Sequence, residues 1–351
     1  MRVLHVVDTL DPSTGGPART VPFLVDALQR TGLDCRIWAR GTSSHLSDHL
    51  GLRAEQGPLG QVLSGTEWDL VHHHGMWLPF HRVVARVCAV RRIHRIVSPR
   101  GMLEPWALAH HRWRKRLAWI LFQRRDVMDA CGVHVTSEAE AAQLRSLGFP
   151  GPMACIPNGV EMPSSDSIAR FDGPPTVVFL GRIHPVKGLD VLVDAWQRAA
   201  LPGWRMEVVG PNEDGHQALL EEKLKRAGLF DQWRFAGEVR GDGRWNALRR
   251  GHLFVLPSHT ENFGLAVAEA LAIGLPVIAT RGTPWSGVEE RGCGRWVDLE
   301  PTSLAEALSE LTSLPKDRLA AMGQLGREWV RQSFSWSGVA TEMKQFYESL
   351  P

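Results

Sequence analysis

The stretch from Leu253 to Gly274 limits the folds open to this chain more than any other. Leu253-Phe254-Val255-Leu256 reads as a buried strand and Ser258-His259-Thr260-Glu261-Asn262 as a polar loop. Leu265 to Leu271 reads as a helix entered at Gly264 and closed by Gly274. The same order opens the chain. Met1 to Asp8 reads as a strand and Gly15-Gly16-Pro17 as a loop. Ala18 to Arg30 reads as a helix with Val21, Leu24, Val25 and Leu28 on one face, and Cys35 to Ala39 as the next strand. Strand, glycine loop, helix, strand is the start of a parallel α/β sheet.

Trp68 to Gly75, Ile96 to Met102 and Gly132 to Ser137 repeat the run of strand into loop. Ser137, with Glu140 three residues on, predicts a capping box at the following helix. Met153 to Pro157 is a short strand, and the polar run Pro163 to Ser167 marks a domain boundary. The second half restarts the pattern, with strands expected at Thr176 to Gly181, Met206 to Gly210, Trp233 to Gly237, Pro276 to Thr280 and Arg295 to Asp298. Helices are expected between them and from Ser303 to Leu350. The expected architecture is α/β, with two Rossmann-like αβα domains, 1–163 and 164–335, facing a central cleft.

Composition excludes several classes. A net charge of +2 gives no global case for nucleic acid, and 44% hydrophobic with 22% charged residues is ordinary for a soluble globular protein. No apolar run approaches the roughly 20 residues that span a bilayer. The first strand is too short for a signal peptide. Cys35, Cys88, Cys131, Cys155 and Cys293 are scattered with no Cys-x-x-Cys, which argues for reduced thiols, a cytosolic location and no zinc site. His72-His73-His74 ends a strand without a carboxylate cluster, so no metal is expected there. There is also no Asp-x-Asp to present a divalent ion to a diphosphate.

Three features of the second half converge on one ligand. The loop Gly181-Arg182-Ile183-His184-Pro185-Val186-Lys187-Gly188 carries two cations at the carboxyl end of a strand, where ligands of parallel sheets sit. Arg grips a diphosphate through paired donors and Lys adds a point charge. Glu261 and Glu269 flank a junction whose free N–H groups favour an anion. Carboxylates cannot hold that anion but accept hydrogen bonds from hydroxyls. The pair therefore suits a phosphorylated, hydroxyl-rich ligand such as a nucleotide sugar. The other reading of Glu269 is a solvated helix glutamate. The turn Gly237-Glu238-Val239-Arg240 suits a flat base held by backbone contacts. In the first half, Gly15-Gly16 is either a phosphate loop or a plain tight turn.

Phe179-Leu180-Gly181-Arg182…Lys187-Gly188, then Glu261-Asn262-Phe263-Gly264…Glu269-Ala270, then Gly274-Leu275-Pro276-Val277-Ile278-Ala279-Thr280 resemble the retaining GT-B glycosyltransferases of family GT4, the glycosyl transferases group 1. The likeness runs the whole chain. Asp8 with Gly15-Gly16 is similar to the family's phosphate loop, Ile156 to Val160 to its interdomain segment, and Phe334-Ser335-Trp336 to the start of a tail, 336–351, that returns to the first domain. Ser98-Pro99-Arg100-Gly101-Met102 to Leu108, and Thr283-Pro284-Trp285…Trp296-Val297, resemble members that build bacterial exopolysaccharide or lipopolysaccharide.

The resemblance implies an acceptor-binding first domain and a donor-binding second one. Arg182 and Lys187 would hold the diphosphate of a UDP- or GDP-sugar and stabilise its departure. Glu261 would face the sugar and Glu269 the ribose. Gly181, Gly210, Val239, Asn262, Phe263, Gly264 and Leu265 would complete the donor site, with Gly15 and Gly16 closing on the phosphate. His74, Trp77, Arg100 and Gly101 would line the acceptor side. The donor phosphate would take the acceptor proton itself, without metal or cofactor. Many relatives carry a histidine where this chain has Arg100. An arginine stays protonated and cannot be a base, which leaves His74 as the imidazole near the acceptor, or else as a capped core histidine.

The segment from His110 to Arg125 interleaves cations with Trp113, Leu117, Trp119, Ile120, Leu121 and Phe122. It reads either as an interfacial helix drawn to anionic lipid or as a packed helix with a solvated cationic face. The expected protein is thus a metal-independent retaining hexosyltransferase of cell-surface polysaccharide assembly. It would be cytoplasmic, and peripheral on the inner membrane face if the stripe binds lipid. Its acceptor would be a saccharide or a polyprenyl-diphosphate-linked saccharide. The alternatives are a GT-B transferase with a small soluble acceptor, a UDP-N-acetylglucosamine 2-epimerase-like enzyme, and a non-catalytic sugar-nucleotide sensor.

Overall fold

The computed structural model describes residues 1–11, 15–41, 50–104, 106, 108, 112–163, 168–169, 171–239 and 241–350. The chain divides into two compact units, Met1–Gly159 with Trp336–Pro351, and Val160–Ser335. The break expected at 163/164 moves to 159/160. The cause is a backbone tie inside the second unit: Val160 N–H donates to the Phe334 carbonyl at 2.8 Å, and Val160 bridges Ser335 in parallel. Residues 164–167 of the expected linker lie outside the described residues.

The first unit holds β1 (Arg2–Val7), β2 (Asp34–Ala39), β3 (Leu70–His74), β4 (His94–Ser98), β5 (Gly132–Val135) and β6 (Met153–Cys155) in one parallel sheet of order β2-β1-β3-β4-β5-β6. β1, β3 and β5 are almost wholly buried, as strands covered on both faces must be. On one face the Gly16–Arg30 helix presents Val21, Leu24, Val25 and Leu28 to a core completed by Val339, Met343, Phe346 and Tyr347. Those last four belong to the Trp336–Ser349 helix, so the tail is an integral layer of this unit.

The second unit holds β7 (Thr176–Leu180), β8 (Arg205–Val209), β9 (Trp233–Gly237), β10 (Leu253–Leu256), β11 (Val277–Thr280) and β12 (Gly294–Val297) in the order β12-β11-β10-β7-β8-β9, again parallel. Phe179, Phe254 and Trp196 are fully buried in its core. The chain after β12 supplies the Pro301–Thr312 and Lys316–Ser333 helices.

The capping box forms by half. Ser137 Oγ accepts from Glu140 N–H at 3.3 Å. Glu140 does not return the bond to Ser137. Its carboxylate accepts from Thr136 N–H at 3.0 Å and from Gly101 N–H at 2.6 Å. Burial of Glu140 draws it toward a loop N–H that has no strand partner.

Candidate functional site

In the second unit β7 has β8 on one side and β10 on the other, so strand order reverses between β7 and β10. Ligands of parallel sheets sit outside such a switch point. Two of the predicted groups, Lys187 and Glu261, meet there. After β7, His184 Nδ1 accepts from Val186 N–H at 3.1 Å and caps a single 3-10 turn, Pro185–Lys187. Gly188 ends that turn at φ 62°, and a Cβ there would lie 2.1 Å from the Pro257 carbonyl oxygen, so only glycine lets the loop close on the β10 loop. The result brings the Lys187 ammonium onto the Glu261 carboxylate in an ion pair that is 13% and 15% exposed. Ser258 Oγ also donates to Glu261 at 3.0 Å, and Glu261 N–H donates to Gly282 O at 2.8 Å.

Arg182, in the same loop, extends to Glu213 beyond β8 at 2.7 Å. Both are more than a third exposed, so the pair contributes little to stability. Both predicted cations therefore rest on carboxylates. A diphosphate would exchange one anionic partner for another.

Glu269 is 2% exposed, in the Leu265–Ala272 helix, which excludes the solvated reading. Arg244 Nε faces its Oε1 at 3.1 Å, and the same guanidinium pairs with Glu161 and lies 4.8 Å from the Trp245 ring centroid. Arg244 and Glu161 were not singled out in the sequence. A cation opening the short Gly243–Arg249 helix, and an acid beside the interdomain segment, carry no local pattern that joins them to Glu269.

The loop between β10 and its helix mixes roles. Phe263 is buried against Trp285 and Phe334 at centroid distances of 5.4 and 5.9 Å, and its carbonyl accepts from Trp285 Nε1. Its ring thus anchors the loop. Gly264 (φ 76°) and Leu265 open the helix, and the Gly264 carbonyl accepts from Val267 N–H at 2.9 Å. Asn262 and Val239 are half-buried at the same end of the sheet. Gly210 has a steric cause of its own, since a Cβ there would lie 1.9 Å from the Gly181 carbonyl oxygen. Arg240 lies outside the described residues.

In the first unit the order reverses between β1 and β3, and a buried polar network fills that position. Arg100 has no acceptor atoms, so its Nη2 donates to His74 Nδ1 at 3.1 Å and its Nη1 to Asn158 Oδ1 at 2.7 Å. His74 is then the Nε2–H tautomer and donates to His5 Nδ1 at 3.1 Å. A second chain is directed by the Ile156 carbonyl, which only accepts. His134 Nε2–H donates to it at 2.9 Å, so His134 Nδ1 accepts from Ser98 at 2.8 Å. Ser98 Oγ accepts from His72 Nε2–H at 2.6 Å, and His72 Nδ1 from the Tyr347 hydroxyl at 2.7 Å.

These assignments require neutral rings. Burial, with the nearby Arg100 charge, lowers His5 and His134 to about 3 and holds His72 and His74 well below their ordinary value. His5, His72 and His74 each place a ring nitrogen within 4.8 Å of the others. That spacing would suit a metal ion, but the guanidinium on His74 opposes a second cation and His72 has both nitrogens engaged. His74 is 2% exposed with both nitrogens hydrogen-bonded. These bonds match the capped core histidine, with its Nδ1 accepting from Arg100.

Arg100 has φ 58° and Gly101 follows at φ 76°. A left-handed arginine costs roughly 1–3 kcal/mol, held here by Asn158, His74 and the Glu140 bond to Gly101. Trp77 is also left-handed (φ 76°). Its N–H donates to Gln123 Oε1 at 3.2 Å and its indole to the Met102 carbonyl at 3.2 Å. Gly15 (φ 126°) and Gly16 open the first helix, with no atom within 4 Å of an added Cβ at either. Asp8, beside them, pairs with Arg40 at 2.8 Å.

The basic segment forms the Arg112–Ala118 helix, a π-helical turn over Trp119–Gln123 and the Arg124–Met128 helix. Gln123 turns inward to Trp77, whereas Trp113, Leu117, Ile120 and Leu121 are exposed. Residues 110 and 111, and 105 and 107 before them, lie outside the described residues. Among the described residues, no helix is long and apolar enough to cross a membrane.

Two family models match in tandem: "Glycosyl transferase 4-like domain" over residues 15–159 and "Glycosyl transferases group 1" over 163–329. The chain is 31% identical over 269 residues to a phosphatidyl-myo-inositol mannosyltransferase of Mycobacterium leprae, covering 71% of this chain and 62% of that protein. It is 31% identical to a D-inositol 3-phosphate glycosyltransferase of Saccharomonospora viridis, over 65% and 58% of the two. The chain thus spans about three-fifths of the length of these curated relatives. Among solved structures, sucrose-phosphate synthase from Thermosynechococcus elongatus aligns at TM-score 0.80 and 21% identity, over 100% and 99% of the chains. HepE from Anabaena with UDP and glucose aligns at 0.80 and 20%, over the full length of both. The shared fold is GT-B, with two Rossmann-like αβα domains. With its two halves matched in tandem by these models and Lys187 paired with Glu261 at the β7/β10 switch point, the chain belongs to the GT4 family, the glycosyl transferases group 1.

Proposed function

We propose that this protein is a metal-independent, retaining glycosyltransferase. It would move a hexose from a UDP- or GDP-sugar to a saccharide or lipid-linked saccharide in cell-surface polysaccharide assembly. The observation that carries this reading is the Lys187–Glu261 pair at the β7/β10 switch point, on the same loop as Arg182 and with buried Glu269 in the helix that follows Glu261. The leaving diphosphate would take the two cations from Glu213 and Glu261. That would release Glu261 to the sugar hydroxyls while Glu269, held by Arg244, meets the ribose. On the acceptor side Arg100 stays charged and His74 has both nitrogens engaged. Neither can take a proton, which leaves the donor phosphate oxygen as the acceptor of the hydroxyl proton.

The family match and the relatives' printed activities on inositol-based acceptors support transfer over the epimerase-like reading. The second unit would serve the donor and the first the acceptor. A thermal-shift screen of UDP- and GDP-sugars tests the donor site. The right donor stabilises the wild type, and Lys187→Ala weakens it about tenfold or more, since one hydrogen bond to a charged group is worth about 1.5–3 kcal/mol. A donor that stabilises both proteins equally would be bound elsewhere.

The exposed Trp113, Leu117, Ile120 and Leu121 beside Arg112, Arg114, Arg116 and Arg124 favour a lipid-linked acceptor met at an anionic membrane surface. The enzyme would then work from the cytoplasmic face. Co-sedimentation with phosphatidylglycerol vesicles should exceed that with phosphatidylcholine alone. Gln substitutions at those four cations should remove the difference and leave donor binding intact. Equal, negligible binding to both vesicles would end this reading.

A further inference from the structure

Arg100 is a cation without a carboxylate. Among the described residues no acidic side chain lies within ion-pair distance of it. The Glu140 oxygens, the closest anionic influence, face the Gly101 and Thr136 N–H groups. Burial brings the guanidinium down to about 10, so it is still charged at neutral pH. Two of its nitrogens donate to His74 and Asn158, while Nε is buried and donates to no group. The groups that position it, His74, His5, His72, His134, Ser98, Tyr347 and Asn158, are all neutral. The chain has therefore placed one positive charge, with an unused donor, at the ligand end of β4, hydrogen-bonded it to neutral groups, and left the Glu140 carboxylate to act on it through space alone. A left-handed backbone at Arg100 and Gly101 holds it there. A guanidinium carries paired N–H donors that match the two oxygens of a carboxylate or phosphate, and here Nε has no acceptor while each Nη gives one bond to a neutral group.

We propose that Arg100 receives an oxyanion, carboxylate or phosphate, carried by the acceptor substrate. This rests on the reading of the protein as a glycosyltransferase and narrows the acceptor to an acidic or phosphorylated sugar. Neutral hydroxyls alone would leave the charge uncompensated. His74 and His5 are positioning residues: they orient the guanidinium and stay neutral, so they do not compete with it for the anion.

The test uses the full chain saturated with UDP, or with GDP in its place where the donor screen selects GDP, to fill the proposed Arg182 and Lys187 site. Inorganic phosphate, glucuronate and glucose are titrated at matched ionic strength and the melting temperature is followed. Phosphate, glucuronate or both should raise Tm by about 3 °C near ten times Kd, and glucose should not. The arm that responds identifies the oxyanion. The shift should vanish in Arg100→Gln, shrink in Arg100→Lys and persist in Lys187→Ala. Arg100→Gln must keep its UDP-induced shift, which shows that it is folded. If it does not fold, Arg100→Lys decides, because an unchanged shift there rejects a paired-donor site. No oxyanion shift, an equal shift in Arg100→Gln, or a shift abolished by UDP overturns the proposal, the last by assigning the guanidinium to the donor. A wild type that responds to neither UDP nor GDP would instead overturn the glycosyltransferase reading.

Discussion

Single residues decide whether each charge in the second unit has a partner. Glu269 lies inside the protein with Arg244 as its cation, and Arg244 is shared with Glu161. Removing one member of a buried pair leaves an uncompensated charge and costs about 3 kcal/mol. Arg244→Met should therefore lower urea stability by that order. Adding Glu269→Gln should restore part of the loss, because the stranded charge is gone. If the two effects simply add, the pair is not coupled. Lys187 and Glu261 follow the same rule, and in the proposed donor site their partners would change on diphosphate binding. The Arg/Lys loop and the Glu-x7-Glu spacing were legible in the sequence because motif and strand end coincide. Arg244 was not, because its role exists only through a contact 25 residues downstream.

At the scale of elements, the Trp336–Ser349 helix has the largest consequence. Val339, Ala340, Met343, Phe346 and Tyr347 are buried in the first unit. At about 1.5–3 kcal/mol for each large side chain, their burial is on the order of 10 kcal/mol, as much as a domain's whole stability. A chain ending at Ser335 should lose the cooperative unfolding of the first unit and keep that of the second, as hydrogen exchange would report unit by unit. A smaller change asks about the network alone. Tyr347→Phe removes the donor to buried His72 and should cost about 2 kcal/mol, with UDP binding unchanged. Helical periodicity announced this element. Nothing in its period said that its hydroxyl meets a histidine 275 positions earlier.

For the molecule as a whole, the buried imidazoles predict the pH dependence of stability. His5 and His134 stand at about 3 in the folded protein, and His72 and His74 are also depressed. The unfolded chain binds protons on these rings near pH 6.5 and the folded chain does not. Their contribution is complete above about pH 6.5 and is lost as pH falls toward about 3. The slope reaches roughly 1.4 kcal/mol per pH unit for each histidine. Urea midpoints for the first unit should fall steeply between pH 6.5 and 5, and less so for the second unit. His134→Gln should flatten the slope. A first unit equally stable at pH 5 and 7 would mean that the rings are not buried neutral.

The sequence by itself determined the two α/β halves, because buried strands and amphipathic helices write their periods locally. It also determined the candidate donor site, because ligands of such sheets gather at strand ends. Only the tertiary structure decided which charges are compensated. His5, His74, His134 and Tyr347 come from four separate elements, and Glu161 meets Arg244 across 83 residues. Sheet order and the return of the tail bring them together. Those are set by packing over long separations, which no local period encodes, and they leave Arg100 charged, half-buried and without a paired carboxylate.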